Sequence, residues 1–343
     1  MSTANLDSAD LKGVAFGGLI REDVMNKIWD ISRIPLPFTD MVGTGSAKNE
    51  YKEWTTDELA APDVTNAVVD GSDASGNNTA TGQRVGNHHQ ISDKVVRVSY
   101  RADASDTIGR AKELSYQLMR RQQELRRDVE AISLLNQASV ADNGDTIAGK
   151  AGGLPSWIKT TAINGTPGGF NTTTGLTVAY TYDAAAVGLT EKNVRDAVEG
   201  VYEEGGDPTK MMTVPKIIRL FSEYLFTSSA RVASLMSDQG KSREKAAALG
   251  SVNVFVTDFG TLTMIPNRLQ QTYTATTLAA DVFILDPEYL SLCYLKGYRT
   301  DTLAKTGLAE NRQMSVDWTL IVNTEKAHAI IANIDVATAV VSA

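Results

Sequence analysis

Residues 48–100 carry strand patterning at both ends but too few large apolar side chains to enclose a core. KNEYKEWTTDEL opens the stretch and NHHQISDKVVRVSYRADA closes it. In the second piece Val96, Val98 and Tyr100 alternate with Arg97 and Ser99, the period of two that marks a strand with one covered face. Between the two lies VVDGSDASGNNTATGQ, a Gly/Ser/Asn/Thr tip with nothing to bury. A two-stranded ribbon of this kind is barely stable alone in water. Any fold that contains it must support it from outside, through the rest of the chain or a neighbouring copy.

The flanks raise the same demand. Residues 1–40 read as an arm. Residues 21–33 predict a short helix with Val24, Ile28 and Ile31 on one face, and the prolines of IPLPF, Pro35 and Pro37, predict an extended path after it. So short a helix is marginal in isolation, so the arm needs a surface to lie on. On the other side, residues 109–137 predict one long helix. Ala111, Leu118, Leu125 and Ile132 recur every seven, and Leu114, Val129 and Leu135 fill in between. At 1.5 Å per residue it runs about 40 Å. Its paired arginines, Arg120 with Arg121 and Arg126 with Arg127, stand among Glu113, Glu124, Asp128 and Glu130. That mixture reads as a salt-bridged solvated face and not as a DNA-binding stripe.

Residues 141–182 are rich in Gly, Thr and Asn, with an apolar island at 154–158. A more compact stretch follows. Thr190 is placed to cap a helix running to Glu204, with Val194, Ala197, Val198 and Val201 on one face and Gly205, Gly206 and Pro208 ending it. MMTV predicts a buried strand, and Pro215 opens a second helix, KIIRLFSEYLF. After Gly250 the chain turns to strands: VNVFVTDFG, TLTMIPN, DVFILDP, LSLCYLKG, QMSVDWTLIVN and HAIIANI. A long helix, a ribbon and a later sheet without a βαβ repeat point to the α+β class.

Composition narrows the function. The 343 residues are 42% apolar and 22% charged, as in an ordinary folded protein. No window holds eighteen apolar residues, which excludes a spanning helix, and the acidic start MSTANLDSADLKG is no secretory signal. Cys293 is the only cysteine, so internal disulfides and Cys-based zinc sites are excluded. The histidines are His88, His89 and His328, and the adjacent pair points to opposite sides if extended, poor geometry for a metal. A net charge of −8 argues against general nucleic-acid coating.

One stretch imitates chemistry. GDTIAGKAGG, residues 144–153, fits seven places of the phosphate-binding loop through Gly144, Gly149 and Lys150. Its eighth place is Ala151 where a Mg²⁺-binding hydroxyl belongs, it follows a helix where a strand belongs, and GGLPSWI cannot open the helix that would hold a phosphate. There is no G-x-S-x-G elbow and no H-E-x-x-H, and no histidine sits in a triad-like setting. The N-x-T sequons at Asn77, Asn164 and Asn171 read as chance products of Asn/Thr-rich loops. A nucleotide-binding enzyme using residues 144–150 and a carboxylate-based hydrolase stay as alternatives to a non-catalytic assembly protein, for which no cofactor and no metal is expected.

The order of arm, extended ribbon, long helix, glycine-rich passage, α/β lobe and returning strands resembles the major capsid proteins of tailed bacteriophages, with their Hong Kong 97 capsid fold. Two segments carry the resemblance beyond layout. In residues 87–104 N-x-x-Q-I is followed by V-x-V-S. In the C-terminal half Asp258, Phe259 and Gly260 form D-F-G, residues 266–268 P-N-R, residues 285–287 L-D-P, and residues 303–307 L-A-K-T-G. The D-F-G lacks the companions of a kinase magnesium motif.

The resemblance implies an N-terminal arm (1–44), an extended loop lying over an adjacent subunit (45–100), and a peripheral domain with the long spine helix and glycine-rich passage (101–183). It also implies an α/β axial domain (184–285) and returning strands of the peripheral domain (286–343). It implies pentamers and hexamers in an icosahedral shell in the virion, assembled in the host bacterial cytoplasm. A separate scaffolding protein, a portal and cement proteins are implied partners, with double-stranded DNA nearby without specific binding, and no membrane. Candidate inter-subunit contacts are Lys52, Glu53, Trp54, Lys94, Arg97, Arg120 and Arg127. No lysine–asparagine pair beside an acid, as needed for autocatalytic cross-linking, is identifiable. The glycines of residues 144–153 read as a pliable passage out of the spine helix.

Overall fold

A computed structural model describes residues 25–28, 30–32, 35–73, 76, 81–225, 253–274, 277–305 and 307–340. In chain order the elements are α1 (Pro37–Met41), β1 (Gly43–Ser46), β2 (Tyr51–Thr56), β3 (Gln83–His88), β4 (Gln90–Ser99), α2 (Tyr100–Ala104) and α3 (Glu113–Ser133). Then come β5 (Ala162–Ile163), β6 (Gly169–Asn171), β7 (Leu176–Val178), α4 (Glu191–Glu203), β8 (Lys210–Thr213) and α5 (Pro215–Leu225). The last part holds β9 (Val254–Thr257), β10 (Gly260–Pro266), β11 (Tyr273–Thr274), β12 (Leu278–Leu285), β13 (Leu290–Thr302), β14 (Ala309–Val322) and β15 (Ala329–Asp335).

Local rules account for most boundaries. Thr190 caps α4 by accepting the Asn193 amide at 3.0 Å, and Val194, Ala197, Val198 and Val201 are all buried. Pro215 takes the first-turn position of α5, where its missing N–H costs nothing. The spine helix α3 is shorter than the seven-residue pattern predicts. Gly109 sits at φ +71° before it, and the Leu135 amide turns back to the Ile132 carbonyl to close its end. Leu125 and Val129 are buried, whereas Leu118 and Ile132 are half-covered. Two arm expectations change. Residues 25–28 and 30–32 are not helical, and the rest of the 21–33 stretch lies outside the described residues. Pro37 does not enforce an extended path, because it occupies the first turn of α1.

Two sheets organise the chain. One has the order β1-β13-β14-β4, with α3 packed against β4 and β14. The other has the path β5-β15-β12-β8-β10-β9, with β11 paired to β12. In β12, Phe283 and Leu285 face a core shared with Leu125, Trp157 and Trp318, while Val282 and Ile284 face the core of α4 and α5. A strand covered on both faces is apolar nearly throughout, and this one departs only at Asp281. β13 and β14 join β4 in one sheet, whereas β15 inserts between β5 and β12 in the other. Every residue of AIIANID is buried, which suits an interior position and not an edge.

Candidate functional site

The root of the extended loop is fixed to its own chain. β2 and β3 pair from Tyr51 opposite His88 to Thr56 opposite Gln83. Trp54 lies 5.3 Å from Trp157, which stacks on Phe170 at 5.8 Å, so the aromatic side chains of three segments meet under the ribbon. The Tyr51 hydroxyl donates to the Gly175 carbonyl at 2.8 Å. Glu53 holds Arg84 across the strands, with Arg84 Nε 2.8 Å from Oε1, and Lys52 is half-buried opposite Asn87. Past Thr56 the support ends. Glu58 reaches Lys326 at 2.8 Å, and Lys326 also holds Glu204 at 2.7 Å. Beyond that point Leu59, Val64, Val68 and Val69 stand 99%, 95%, 81% and 79% exposed.

The arm lies along the spine. Asn26 accepts the Gly109 amide, and Ser32 lines a small cleft with Arg120, Gln123, Glu124 and Arg127. Asp30 lies close enough to Arg120 to raise the guanidinium pKa, after the larger effect of the Tyr116 hydroxyl. The path ends at Glu130. This carboxylate is fully buried and accepts the Phe38 amide at 2.8 Å, the Thr39 amide at 2.7 Å, the Thr39 hydroxyl at 2.6 Å and Asn267 Nδ2 at 2.8 Å. It therefore caps α1 and ties arm, spine and the P-N-R segment to one side chain. Among the predicted contact residues, Arg120 and Arg127 are thus beside the chain's own arm, and Lys94 pairs with Asp128 at 2.7 Å. Arg97 is exposed on β4.

The glycine-rich stretch uses up its own amides. Asn143 Oδ1 accepts the amides of Asp145, Thr146 and Ile147, and Asp142 accepts that of Gly144. Val140 and Lys150 exchange both backbone hydrogen bonds at 3.0 Å. With the N–H groups of residues 144–147 and 150 already taken within the chain, the loop offers no phosphate cradle, so the nucleotide reading is unsupported. Nor are Gly152 and Gly153 a pliable passage. Both are buried, and a Cβ on Gly153 would overlap the Leu135 carbonyl oxygen while one on Gly152 would overlap the Thr177 hydroxyl. Close approach is what requires glycine here.

The N-x-x-Q motif holds this approach. The Asn87 side chain accepts the Gly152 amide at 2.9 Å and donates to the Leu320 carbonyl at 2.8 Å. Gln90 Oε1 accepts Gln137 Nε2 at 3.0 Å.

Two further buried polar side chains, Asp281 and Asn333, join separate segments. The Asp281 carboxylate takes the hydroxyls of Tyr182 and Tyr273, each at 2.8 Å, and the Asn333 amide at 3.1 Å. Burial pushes its pKa up, and those donors pull against that shift. Asn333, at φ +58°, uses its Nδ2 on the carbonyls of Asp183 and Ala185. No group of three or more His, Cys, Asp or Glu suited to a metal occurs among the described residues. The D-F-G turn places Asp258 against Arg195 at 3.0 Å and Phe259 against Tyr202 at 5.1 Å.

His328 gives a pH prediction. It is fully buried, its Nδ1 accepts the Asp286 amide at 3.3 Å, and burial drives its pKa down from 6.5 to about 3. Between those values the unfolded chain binds the proton and the folded chain does not, so stability falls as pH drops from 6.5, by up to ~1.4 kcal/mol per unit. Asp281, with its raised pKa, contributes with the opposite sign. The comparison with His328→Asn isolates the histidine. In urea unfolding at pH 7 and pH 5, the parent should lose more stability than the variant, and equal losses would contradict the assignment.

Comparison with known proteins gives a consistent result. A model of the SU10 major capsid protein family matches residues 3–335. Over 102 residues the chain is 41% identical to the major capsid protein of Escherichia phage Phieco32, a match covering 30% of this chain and 29% of the length of that relative. The capsid structure of the cyanophage P-SCSP1u is similar with a TM-score of 0.58 at 13% identity, covering 99% of this chain and 100% of that one. The holo-SrpI encapsulin complex from Synechococcus elongatus PCC 7942 is similar with a TM-score of 0.55 at 13% identity, covering 98% of each.

Proposed function

The chain belongs to the SU10 major capsid protein family, and from that premise we propose that it is a structural subunit whose pentamers and hexamers build an icosahedral shell around phage double-stranded DNA. Its α+β fold is the phage capsid fold that the sequence resembles. The observation that carries the reading is the extended loop: anchored at its root on Trp54, Trp157 and Phe170, it holds four aliphatic side chains almost wholly in solvent. Burying such side chains is worth roughly 1.5–3 kcal/mol each, and within one subunit these contribute nothing. Their use is on an adjacent subunit.

In this reading residues 1–44 are the arm and 45–100 the extended loop. Residues 101–183 and 286–343 make the peripheral domain, and 184–285 the axial domain gathered at the fivefold and sixfold axes, with β15 contributed to its sheet. Lys52, Glu53 and Trp54 on the ribbon and Lys94 and Arg97 on β4 are contact candidates, and Arg120 and Arg127 would contact neighbours only where the arm leaves them open. The subunit acts by association and not by catalysis. A scaffolding protein, a portal and cement proteins are its partners, assembly takes place in the host bacterial cytoplasm, and the finished shell is the virion's.

Replacing Leu59, Val64, Val68 and Val69 together by serine tests this. The variant should melt within about 1 kcal/mol of the parent, because these side chains are already solvated, yet its yield of shells or capsomers should drop at least about tenfold. Unchanged particle yield would remove the loop from the assembly mechanism.

A further inference from the structure

The loop that imitates a phosphate site also contains an Asn-Gly step. Asn143 precedes Gly144 and Asn164 precedes Gly165, the two such pairs in the chain. An asparagine Cγ and the main-chain nitrogen of the next residue are the ends of a five-membered ring, and glycine, having no Cβ, puts nothing in the way of its closing. The two pairs share that chemistry and differ in their surroundings.

At Asn143 each reacting atom has a partner suited to the reaction. The nucleophile is the Gly144 nitrogen, whose N–H donates to Asp142 Oδ1 at 2.7 Å, so a carboxylate is in place to take the proton. The electrophile is Asn143 Cγ. Its oxygen, Oδ1, accepts the amides of Asp145, Thr146 and Ile147 at 3.0, 3.0 and 2.8 Å, three donors aimed at the atom on which negative charge develops. The leaving nitrogen, Nδ2, donates to Thr146 Oγ1 at 3.2 Å, beside a hydroxyl able to relay a proton to it. The turn is braced by the Asn143 amide on the Ile147 carbonyl at 3.3 Å and closed at its base by Val140 and Lys150. Residues 141–148 are exposed, so water reaches the ring.

Asn164 supplies the contrast. It is half-buried at φ +65°, with Nδ2 on the Ala332 carbonyl at 3.4 Å and its own carbonyl taken by the Tyr180 hydroxyl at 2.8 Å. Among the described residues no N–H meets its Oδ1 and no carboxylate meets the Gly165 amide.

We propose that residues 142–146 form a self-modifying turn, in which Asn143 loses its side-chain amide as ammonia. The bond from Gly144 N to Asn143 Cγ forms as the N–H proton passes to Asp142, and the three amides hold the tetrahedral oxyanion. The Cγ–Nδ2 bond then breaks, and Nδ2 leaves as ammonia with that proton, relayed through the Thr146 hydroxyl. The ring left behind is a succinimide. Water opens it at Cγ to give an aspartyl residue, or at the Asn143 main-chain carbonyl carbon to give an isoaspartyl one with an extra methylene in the backbone. Either product sets a new carboxylate between Asp142 and Asp145, and the repulsion loosens the turn.

The test is tandem mass spectrometry of peptides from the full chain, aged at neutral pH in heavy-oxygen water. Asn143 should convert at least about tenfold faster than Asn164, taking up one solvent oxygen and giving isoaspartyl product, with ammonia released. In urea the two sites should converge, because the unfolded chain keeps only the shared Asn-Gly chemistry. Asp142→Ser keeps an acceptor for the Gly144 amide and removes the base, so it should slow Asn143 about tenfold or more and leave Asn164 unchanged. An Asn143 that converts no faster than Asn164 in the folded chain, a difference that persists in urea, or an Asp142→Ser chain that ages as the parent does would each overturn the proposal. None of these results bears on shell assembly, so the two readings stand or fall separately.

Discussion

Glu130→Gln is expected to lower the unfolding free energy by about 3–5 kcal/mol and to free the root of the arm. The parent carboxylate satisfies four donors inside a fully buried site: two backbone amides of α1, the Thr39 hydroxyl and the Asn267 amide. Glutamine keeps one oxygen and turns an NH₂ group toward donors, so at least two buried groups lose their acceptor and each costs about 1–3 kcal/mol. The loss has a local signature, because the Phe38 and Thr39 amides are protected by this side chain alone. Hydrogen exchange at those two amides should accelerate at least about tenfold beyond the global change. Stability within about 1 kcal/mol of the parent would show that the carboxylate does not hold arm, spine and P-N-R segment together.

Gly153→Ala is expected to be nearly as damaging for a different reason. Gly153 has φ −77° and ψ 164°, a conformation open to any residue, so alanine carries no backbone penalty. The penalty is steric, because the added methyl would enter the space of the Leu135 carbonyl and also lie 3.2 Å from the Ile132 carbonyl at the end of α3. Moving that helix end against the segment costs roughly 1–3 kcal/mol or more, and poor solubility would accompany it. Gly144→Ala is the control. Gly144 sits at φ +71° with open space around it, so it costs only the roughly 1–2 kcal/mol of a left-handed alanine. If the two variants unfold alike, close approach is not what residue 153 needs glycine for.

Much of the architecture is legible in the residues because local rules decide it. Thr190 followed by Val194, Ala197, Val198 and Val201 marks α4, since capping and a 3.6-residue period are both written within one segment. The alternation of Val96 and Val98 with Arg97 and Ser99 marks β4 and its covered face for the same reason. What escapes is set by contacts distant in sequence. Glu130 reads as one acid on a solvated face, yet its partners are 92 and 137 residues away and bury it completely. Gly152 and Gly153 read as pliable because a glycine needed for close packing looks the same in sequence as one needed for freedom. The prolines of IPLPF read as an extended path, whereas the helical turn at Pro37 has its Phe38 amide met by Glu130, again far away in sequence.

Several motifs that carry the resemblance turn out to be structural clamps. Asn87 and Gln90 hold the glycine-rich passage, Asn267 completes the Glu130 site, and Asp286 accepts the Glu288 amide at 3.1 Å to cap the turn at Pro287–Tyr289. Such polar groups are costly to leave unpaired, and replacing any of them would disturb two segments at once. A chain held together in this way leaves Leu59, Val64, Val68 and Val69 largely in solvent. That division of labour suits a building block.

The central claim is that this chain works by repeated self-association, and electron microscopy of the purified, expressed protein with its sedimentation profile tests it most directly. Shells, sheets or capsomer rings, lost in the variant with serine at residues 59, 64, 68 and 69, are the predicted result. A monodisperse monomer that stays so across salt and protein concentration would contradict it.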